Sequence, residues 1–296
     1  MAKLLKLERD LAALERDPTL SKDDNLAARF EALKTLDFLA EAFQIHAEQQ
    51  SAATGLRRVR ALRGDLDECN QDFFRKLRTG IRTGVVTARQ LRNLFDGNCR
   101  YRQDDSEWLH FRADAADELA AGLFHSDRPP QPWEGSDSEM IHYEPTPVSA
   151  LLELVDRVPL TGADRFVDIG SGLGQVALLV HLLTGVEAIG LEVLPTYVDH
   201  ARGEAARLGV GRVAFRQGDA RNADLCRGTV YFLYSPFQGE MLRTVIGRLR
   251  REACERRLTI CSFGPCTAQI AAESWLTGED EGTGHEFRLG IFHSGG

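Results

Sequence analysis

A glycine-rich turn constrains this chain more than any other feature of its sequence. Residues 166–169 are mostly apolar and β-branched, which predicts a buried strand, and apolar residues recur at helical spacing from Gly174 onward. Between these stretches, every second residue from Gly170 to Gly174 is glycine. This spacing allows a sharp turn and brings backbone N–H groups and a helix N-terminus against a ligand. The stretch therefore predicts a nucleotide-type binding corner in an α/β fold.

Glycine spacing and two carboxylates narrow the kind of ligand. The third glycine follows the second by two residues, whereas the dinucleotide fingerprint G-x-G-x-x-G separates them by three. Asp168 stands before the turn, where a carboxylate attracts an ammonium group and repels a pyrophosphate. Glu192 ends the next predicted strand and can accept hydrogen bonds from ribose hydroxyls. These features favour S-adenosylmethionine and disfavour the alternative of an NAD-dependent reductase.

Four motifs occur in the order found in Rossmann-like methyltransferases: "VDIGSGLG" at 167–174, Glu192, "RQGDA" at 216–220 and "VYFLYSPF" at 230–237. Over residues 143–293 the chain resembles this class I S-adenosylmethionine-dependent family. The stretch "FVDIGSGLGQV" and the Gly-Leu-Glu strand end are most similar to protein-lysine methyltransferases of the disruptor-of-telomeric-silencing type. The resemblance implies a doubly wound, mostly parallel seven-stranded sheet, with S-adenosylmethionine as the cofactor.

The resemblance also implies positions for the cofactor. Its methionine part would contact the glycine turn and Asp168. Its ribose would contact Glu192, and its adenine would lie near the acid after the third strand. Tyr143 and Glu144 precede the core and either fold over the methionine end or form a stiff linker. The predicted cofactor residues are Tyr143, Glu144, Asp168, Gly170, Ser171, Gly172, Gly174, Gln175, Glu192, Asp219, Ala220 and Tyr234.

The segment after the fourth strand is predicted to face the methyl acceptor. Tyr234, Ser235 and Phe237 are the candidate catalytic residues, although they could equally just close the cofactor pocket. "YSPF" is similar to the Asn/Asp/Ser-Pro-Pro-aromatic motif of amino-group methyltransferases but lacks one proline, which puts a base-methylating role in doubt. The histidines at 142, 181 and 200 are the other candidate bases. We interpret the one at 181 as a hydrogen-bonded core residue and the one at 200 as facing solvent.

Apolar residues at helical spacing predict an all-helical region ahead of this half. A leucine seam predicts a first helix that stops near Pro18, Gly55 is predicted to end a second helical stretch, and Thr87 with Gln90 predicts a capping box. The predicted domains are a helical unit at 1–124, a proline-rich loop at 125–147 and a methyltransferase unit at 148–296. The helical unit could recognise substrate, mediate homo-oligomerisation or act as a scaffold.

Composition limits the kinds of partner and the cellular location that the sequence allows. A net charge of −8 disfavours general nucleic-acid affinity. However, residues 56–102 hold twelve Arg and Lys against five Asp and Glu. This excess of positive charge indicates either a solvated helix face or a patch that binds an acidic partner. Six cysteines without C-x-x-C spacing predict neither a metal site nor disulfides, and no stretch reads as a signal peptide or membrane span.

These observations predict a soluble, cytoplasmic methyltransferase that acts on a protein side chain or a small molecule. Two alternatives remain open. One is a non-catalytic protein that binds S-adenosylmethionine and acts in regulation. The other is an RNA methyltransferase, whose affinity for RNA would fall steeply with salt.

Overall fold

The computed structural model describes residues 2–23, 25–46, 48–99, 114–126, 138–278 and 287–295. The chain forms two compact units, Met1–Gly80 and Ile81–Gly296. The first unit is helical and consists of α1 (Ala2–Glu15), α2 (Leu26–Ile45) and most of α3 (Gln50–Arg82). None of the described helices combines the length and apolar character that a membrane-spanning segment needs.

Apolar stripes on the three helices form the core of the first unit. Leu11, Leu36 and Phe43 are fully buried there, so the leucine seam predicted near the start of the chain does cover a partner surface. The prediction that Gly55 ends a helical stretch is wrong, because this residue lies within α3. A Cβ atom at Gly55 would come within 2.6 Å of the Phe43 ring, so a close approach of backbone to ring explains the glycine.

The second unit is built on a seven-stranded sheet with the strand order β3-β2-β1-β4-β5-β7-β6. The strands are β1 (Arg165–Ile169), β2 (Glu187–Glu192), β3 (Val213–Gln217), β4 (Val230–Tyr234), β5 (Thr259–Phe263), β6 (Leu276–Gly278) and β7 (Gly290–Ser294). Strands β1 to β5 pair in parallel, whereas β7 is antiparallel to both β5 and β6. The predicted mostly parallel sheet and its antiparallel last strand are therefore confirmed.

Seven described helices accompany this sheet: α4 (Ala88–Asn98), α5 (Ala115–Phe124), α6 (Val148–Arg157), α7 (Gln175–Thr184), α8 (Pro195–Leu208), α9 (Gly239–Ala253) and α10 (Cys266–Ala271). Helix α4 begins with the predicted capping box of Thr87 and Gln90, which satisfies backbone N–H groups that no helical carbonyl reaches. Because α4 packs against α5 and α7, the chain divides at Gly80 and not at the predicted residue 124. Residues 127–137 of the predicted loop lie outside the described residues.

The central strand β1 places the functional site. Its residues Phe166, Val167 and Ile169 are fully buried, as expected for a parallel strand that is covered on both faces. From β1 the chain continues to β2 on one side, and it returns to β4 on the other side of β1. Ligands in such sheets bind where the strand order reverses, at the carboxyl ends of the strands.

Candidate functional site

A cavity of about 900 Å³ lies at this edge of the sheet in the second unit. One wall is the segment 138–146, which we call the strap, and the opposite walls are the glycine turn and the ends of β2 and β4. All but one of the predicted site residues line this cavity. Those that do are Tyr143, Glu144, Asp168, Gly170, Ser171, Gly172, Gln175, Glu192, Asp219, Ala220, Tyr234, Ser235 and Phe237. The exception is Gly174, which caps α7 in a left-handed conformation.

The glycine turn is crowded as well as conformationally unusual. Gly170 and Gly172 have φ angles of +80° and +50°, a region that side chains disfavour. A Cβ atom on Gly170 would approach Pro236 to 2.3 Å, and one on Gly172 would approach the Tyr143 ring to 2.4 Å. Both positions therefore require glycine, so that bare backbone can face the cavity.

Three polar atoms beside this turn are buried without a hydrogen-bond partner among the described residues: Asp168 Oδ2, Ser171 Oγ and Tyr143 Oη. Burial, followed by the negative charge of Glu192, raises the pKa of Asp168 well above its usual value. Buried polar atoms normally have partners, because leaving one unsatisfied costs about 1–3 kcal/mol. A ligand with an ammonium group would satisfy these atoms and restore the charge of the carboxylate.

Glu192 ties the glycine turn to the next helix. Its Oε2 accepts a hydrogen bond from the Gly172 N–H at 2.8 Å, and its Oε1 accepts from the N–H groups of Val193 and Leu194 at 2.8 and 2.9 Å. Burial raises the pKa of Glu192, and these three N–H groups oppose that shift. A carboxylate offers about four acceptor sites, so Glu192 retains capacity for one ribose hydroxyl.

Tyr143 lies over the glycine turn in a cluster of apolar side chains. Its ring packs edge-on against Tyr197 with centroids 5.6 Å apart, beside Leu173 and Leu194. Burial, followed by the nearby phenol of Tyr197 and the carboxyl of Asp168, raises the pKa of Tyr143. The hydroxyl is therefore neutral and can donate a hydrogen bond to a ligand in the cavity.

An arginine that sequence reasoning missed holds the acid after β3. Arg221 donates from its backbone N–H to Asp219 Oδ1 at 2.8 Å and from Nη2 to Oδ2 at 2.7 Å. This pairing lowers the pKa of Asp219. Arg221 also lines the cavity, so both members of this ion pair stand at this end. The arginine follows the "GDA" motif by one residue, which was the only available signal.

Tyr234 and Glu144 form a pair at the other end of the cavity. Burial, followed by the charge of Glu144 and a hydrogen bond to it, raises the pKa of Tyr234. Tyr234 packs edge-on against Phe263 at 5.2 Å, and Phe263 packs in the same way against Phe287 at 6.2 Å. Tyr234, Phe287 and Glu144 all line the cavity, and Glu144 is also exposed to solvent. This end therefore combines aromatic surface with one accessible carboxylate.

A family model described as histone methylation protein DOT1 matches residues 138–208, from the strap to the end of α8. The chain is an S-adenosylmethionine-dependent methyltransferase with a Rossmann-like fold. The resemblance that the cofactor motif indicated is thereby confirmed, as is S-adenosylmethionine as the cofactor. No curated protein matches the chain in sequence.

Several solved methyltransferases are similar to this enzyme. An RNA methyltransferase from Salinibacter ruber, in complex with S-adenosyl-L-homocysteine, is 24% identical over 51% of this chain and 92% of its own, with a TM-score of 0.38. A methyltransferase from Geobacter sulfurreducens, in complex with the same ligand, is 24% identical over 38% of this chain and 46% of its own, with a TM-score of 0.33. A precorrin-6y C5,15-methyltransferase from Geobacter metallireducens is 17% identical over 54% and 92%, with a TM-score of 0.38.

Two predicted catalytic residues of this methyltransferase have partners of their own. The Ser235 hydroxyl donates to the Phe263 carbonyl at 3.1 Å and accepts from the Cys266 N–H at 3.0 Å, which ties the end of β4 to α10. Ser235 adopts a φ of +37°, so this loop is locally strained. Phe237 forms an isolated antiparallel bridge with Met140 of the strap and is buried in the core of the unit.

The candidate histidine bases are separated by the fold. His181 bonds to the Val186 carbonyl at 2.7 Å, and His200, predicted to face solvent, is half-buried and bonds to the Phe124 carbonyl at 3.1 Å. Neither histidine lines the cavity, whereas the exposed His142 does. Among the described residues, no group of three or more His, Cys, Asp or Glu side chains is arranged to hold a metal ion.

Proposed function

We propose that this methyltransferase transfers a methyl group to an amine nitrogen of a protein side chain. The observation that carries the proposal is that the aromatic rings of Tyr234 and Phe287 and the exposed carboxylate of Glu144 line the same cavity. A carboxylate beside aromatic surface suits a positively charged or amine group, through charge and through cation–π contact. The matching family model, described as a histone methylation protein, supports a basic protein as the acceptor.

In this proposal the cofactor occupies the other end of the same cavity. Bound S-adenosylmethionine supplies an electrophilic methyl group on a sulfonium centre. Asp168 and Ser171 bind the ammonium end, Glu192 binds the ribose and Asp219 with Arg221 flanks the adenine. The three unsatisfied polar atoms support this orientation, because Ser171 belongs to the glycine turn, Asp168 precedes it and Tyr143 covers it.

The remaining residues position the acceptor. In-line attack needs the nitrogen lone pair directed at the methyl carbon, so orientation supplies much of the rate. Tyr234 and Phe287 flank the acceptor nitrogen with aromatic surface, and Glu144 attracts it from the solvent side. Since Glu144 is exposed, a proton leaving the amine has a direct route to solvent. The carboxylate favours a basic side chain such as lysine over a neutral planar base, because only the basic group gains from its charge.

Methyl-labelled S-adenosylmethionine tests this proposal with four acceptors: a lysine-rich basic protein, the same protein with its lysines acetylated, RNA, and no acceptor. We expect label on lysine of the first protein and none on the acetylated form. Glu144→Gln should raise the acceptor KM about tenfold or more by removing one charge-assisted contact, while the Kd for S-adenosylmethionine stays unchanged. Glu153→Gln is the matched control, because Glu153 is exposed on α6, pairs with Arg157 at 2.7 Å and does not line the cavity.

Three results would contradict the proposal or part of it. Label on RNA alone would make the protein an RNA methyltransferase. Tight binding of S-adenosylmethionine without transfer to any protein acceptor would favour the non-catalytic, regulatory alternative. Equal effects of the Glu144 and Glu153 substitutions on acceptor KM would remove the acceptor role of Glu144 even if lysine is labelled.

A further inference from the structure

We propose that Glu139 is a positioning residue that clamps the strap across the cofactor cleft. This inference concerns binding of S-adenosylmethionine alone and does not depend on the nature of the acceptor. Seven of the nine strap residues line the cavity: Ser138, Met140, Ile141, His142, Tyr143, Glu144 and Thr146. Glu139 is not among them, and its carboxylate instead contacts the start of α9.

The clamp consists of hydrogen bonds that span about a hundred residues of sequence. Glu139 Oε1 accepts from the Glu240 N–H at 2.9 Å, and Oε2 accepts from the Met241 N–H at 2.7 Å. The main-chain carbonyl of Glu139 also accepts from the Gln238 N–H at 2.9 Å. Gln238, the N-cap residue of α9, makes no side-chain capping bond of its own. Glu139 therefore supplies the cap, and its negative charge suits the positive end of the helix dipole.

Gly239 makes room for this carboxylate. Its φ is +60°, and a Cβ atom there would lie 2.1 Å from Glu139 Oε1. Any side chain at position 239 would push the carboxylate out of the helix start. The glycine and the acid, far apart in sequence, thus form one structural unit.

The clamp sets the path of the strap over the cofactor cleft. Past Glu139, the Ile141 N–H donates to the Pro236 carbonyl at 3.1 Å, and Met140 bridges to Phe237. At the other end of the strap, Gln175 Nε2 donates to the Thr146 carbonyl at 2.9 Å. Tyr143, which covers Gly172, lies between these two attachments. Loss of the Glu139 carboxylate should loosen the first attachment, so that Tyr143 is held less firmly on that side.

Calorimetric titration of S-adenosylmethionine and amide hydrogen exchange together test this role. We expect Glu139→Ala to raise the Kd about tenfold and to speed exchange at the Ile141 amide, with no change at the β1 amides. Glu139→Gln should fall between, because its amide oxygen can accept one N–H while its NH2 group cannot accept the other. Gly239→Ala should speed Ile141 exchange and weaken binding as well, because it displaces the carboxylate.

Two controls separate positioning from a general loss of stability. Thr87→Ala removes a helix cap elsewhere in the same unit and should lower stability without changing the Kd. In the double variant of Glu139→Ala with Gly239→Ala, the clash is gone, so the two losses of affinity should not add. An unchanged Kd in Glu139→Ala would overturn the proposal, as would unchanged exchange at Ile141 or accelerated exchange throughout β1.

Discussion

Replacing Asp168 by asparagine should weaken cofactor binding while relieving the cofactor-free protein of a buried carboxyl group that is costly to ionise. The carboxyl is buried, and its Oδ2 has no hydrogen-bond partner among the described residues. Burial, followed by the negative charge of Glu192, raises its pKa well above the usual value. The carboxyl is therefore held toward its neutral form, whereas the ammonium group of S-adenosylmethionine would favour the carboxylate.

The expected magnitude follows from the lost charge-assisted hydrogen bond. Such a bond contributes about 1.5–3 kcal/mol, so Asp168→Asn should raise the Kd about ten- to a hundredfold. Since binding ionises Asp168, the unaltered protein should release up to about one proton, and its affinity should increase as pH rises toward the raised pKa. The asparagine variant should show neither the proton release nor that pH dependence.

Stability should change in the opposite direction. A carboxyl whose pKa is higher in the folded than in the unfolded state contributes stability below the unfolded pKa and loses it as pH rises through the folded pKa. Asparagine cannot ionise, so Asp168→Asn avoids this loss. Without cofactor, the free energy of unfolding of the variant should therefore gain on that of the unaltered protein as pH rises.

Calorimetry in two buffers of different ionisation enthalpy measures both the Kd and the protons released, and urea denaturation over a range of pH measures stability. The control is Asp199→Asn, because Asp199 is exposed on α8 and lies 3.7 Å from Arg202. An Asp168→Asn protein that bound S-adenosylmethionine as tightly as the unaltered one, with the same proton release, would refute this reasoning.

Three further substitutions probe the turn, the β4 loop and a helix cap. Gly172→Ala should cost about 1–2 kcal/mol in backbone strain and displace the Tyr143 ring, lowering affinity for S-adenosylmethionine at least about tenfold by titration. Ser235→Ala should destabilise the protein by about 1–3 kcal/mol, because the Cys266 N–H loses its acceptor. Its kcat, measured below the unfolding temperature, should stay unchanged. A kcat about a thousandfold lower would instead support a catalytic role for the hydroxyl. Thr87→Ala should lower the free energy of unfolding by about 1 kcal/mol in urea with affinity intact, and an unchanged stability would contradict the capping role.

Local sequence determined the elements and their order. Buried apolar runs identified the long parallel strands, and the Thr87 capping box placed the start of α4. Strand β6 has three residues with little burial and carries no pattern of its own, so only its pairing with β7 defines it. The prediction that Gly55 ends a helix failed because glycine occurs both at helix ends and where a neighbouring ring packs closely against the backbone. Only the position of Phe43 in the folded unit distinguishes these two roles.

The sequence by itself determined the kind of site, since glycine spacing and two carboxylates at strand ends restrict the ligand through charge and backbone geometry. The tertiary structure alone decided what those groups contact. It placed Arg221 on Asp219, fixed the Ser235 hydroxyl between two backbone groups and brought Glu139 to the start of α9. Turns and capping boxes depend on neighbours a few residues apart, which periodicity and spacing reveal. A hydrogen bond across about a hundred residues depends on how the sheet and its helices pack, and no local pattern specifies it.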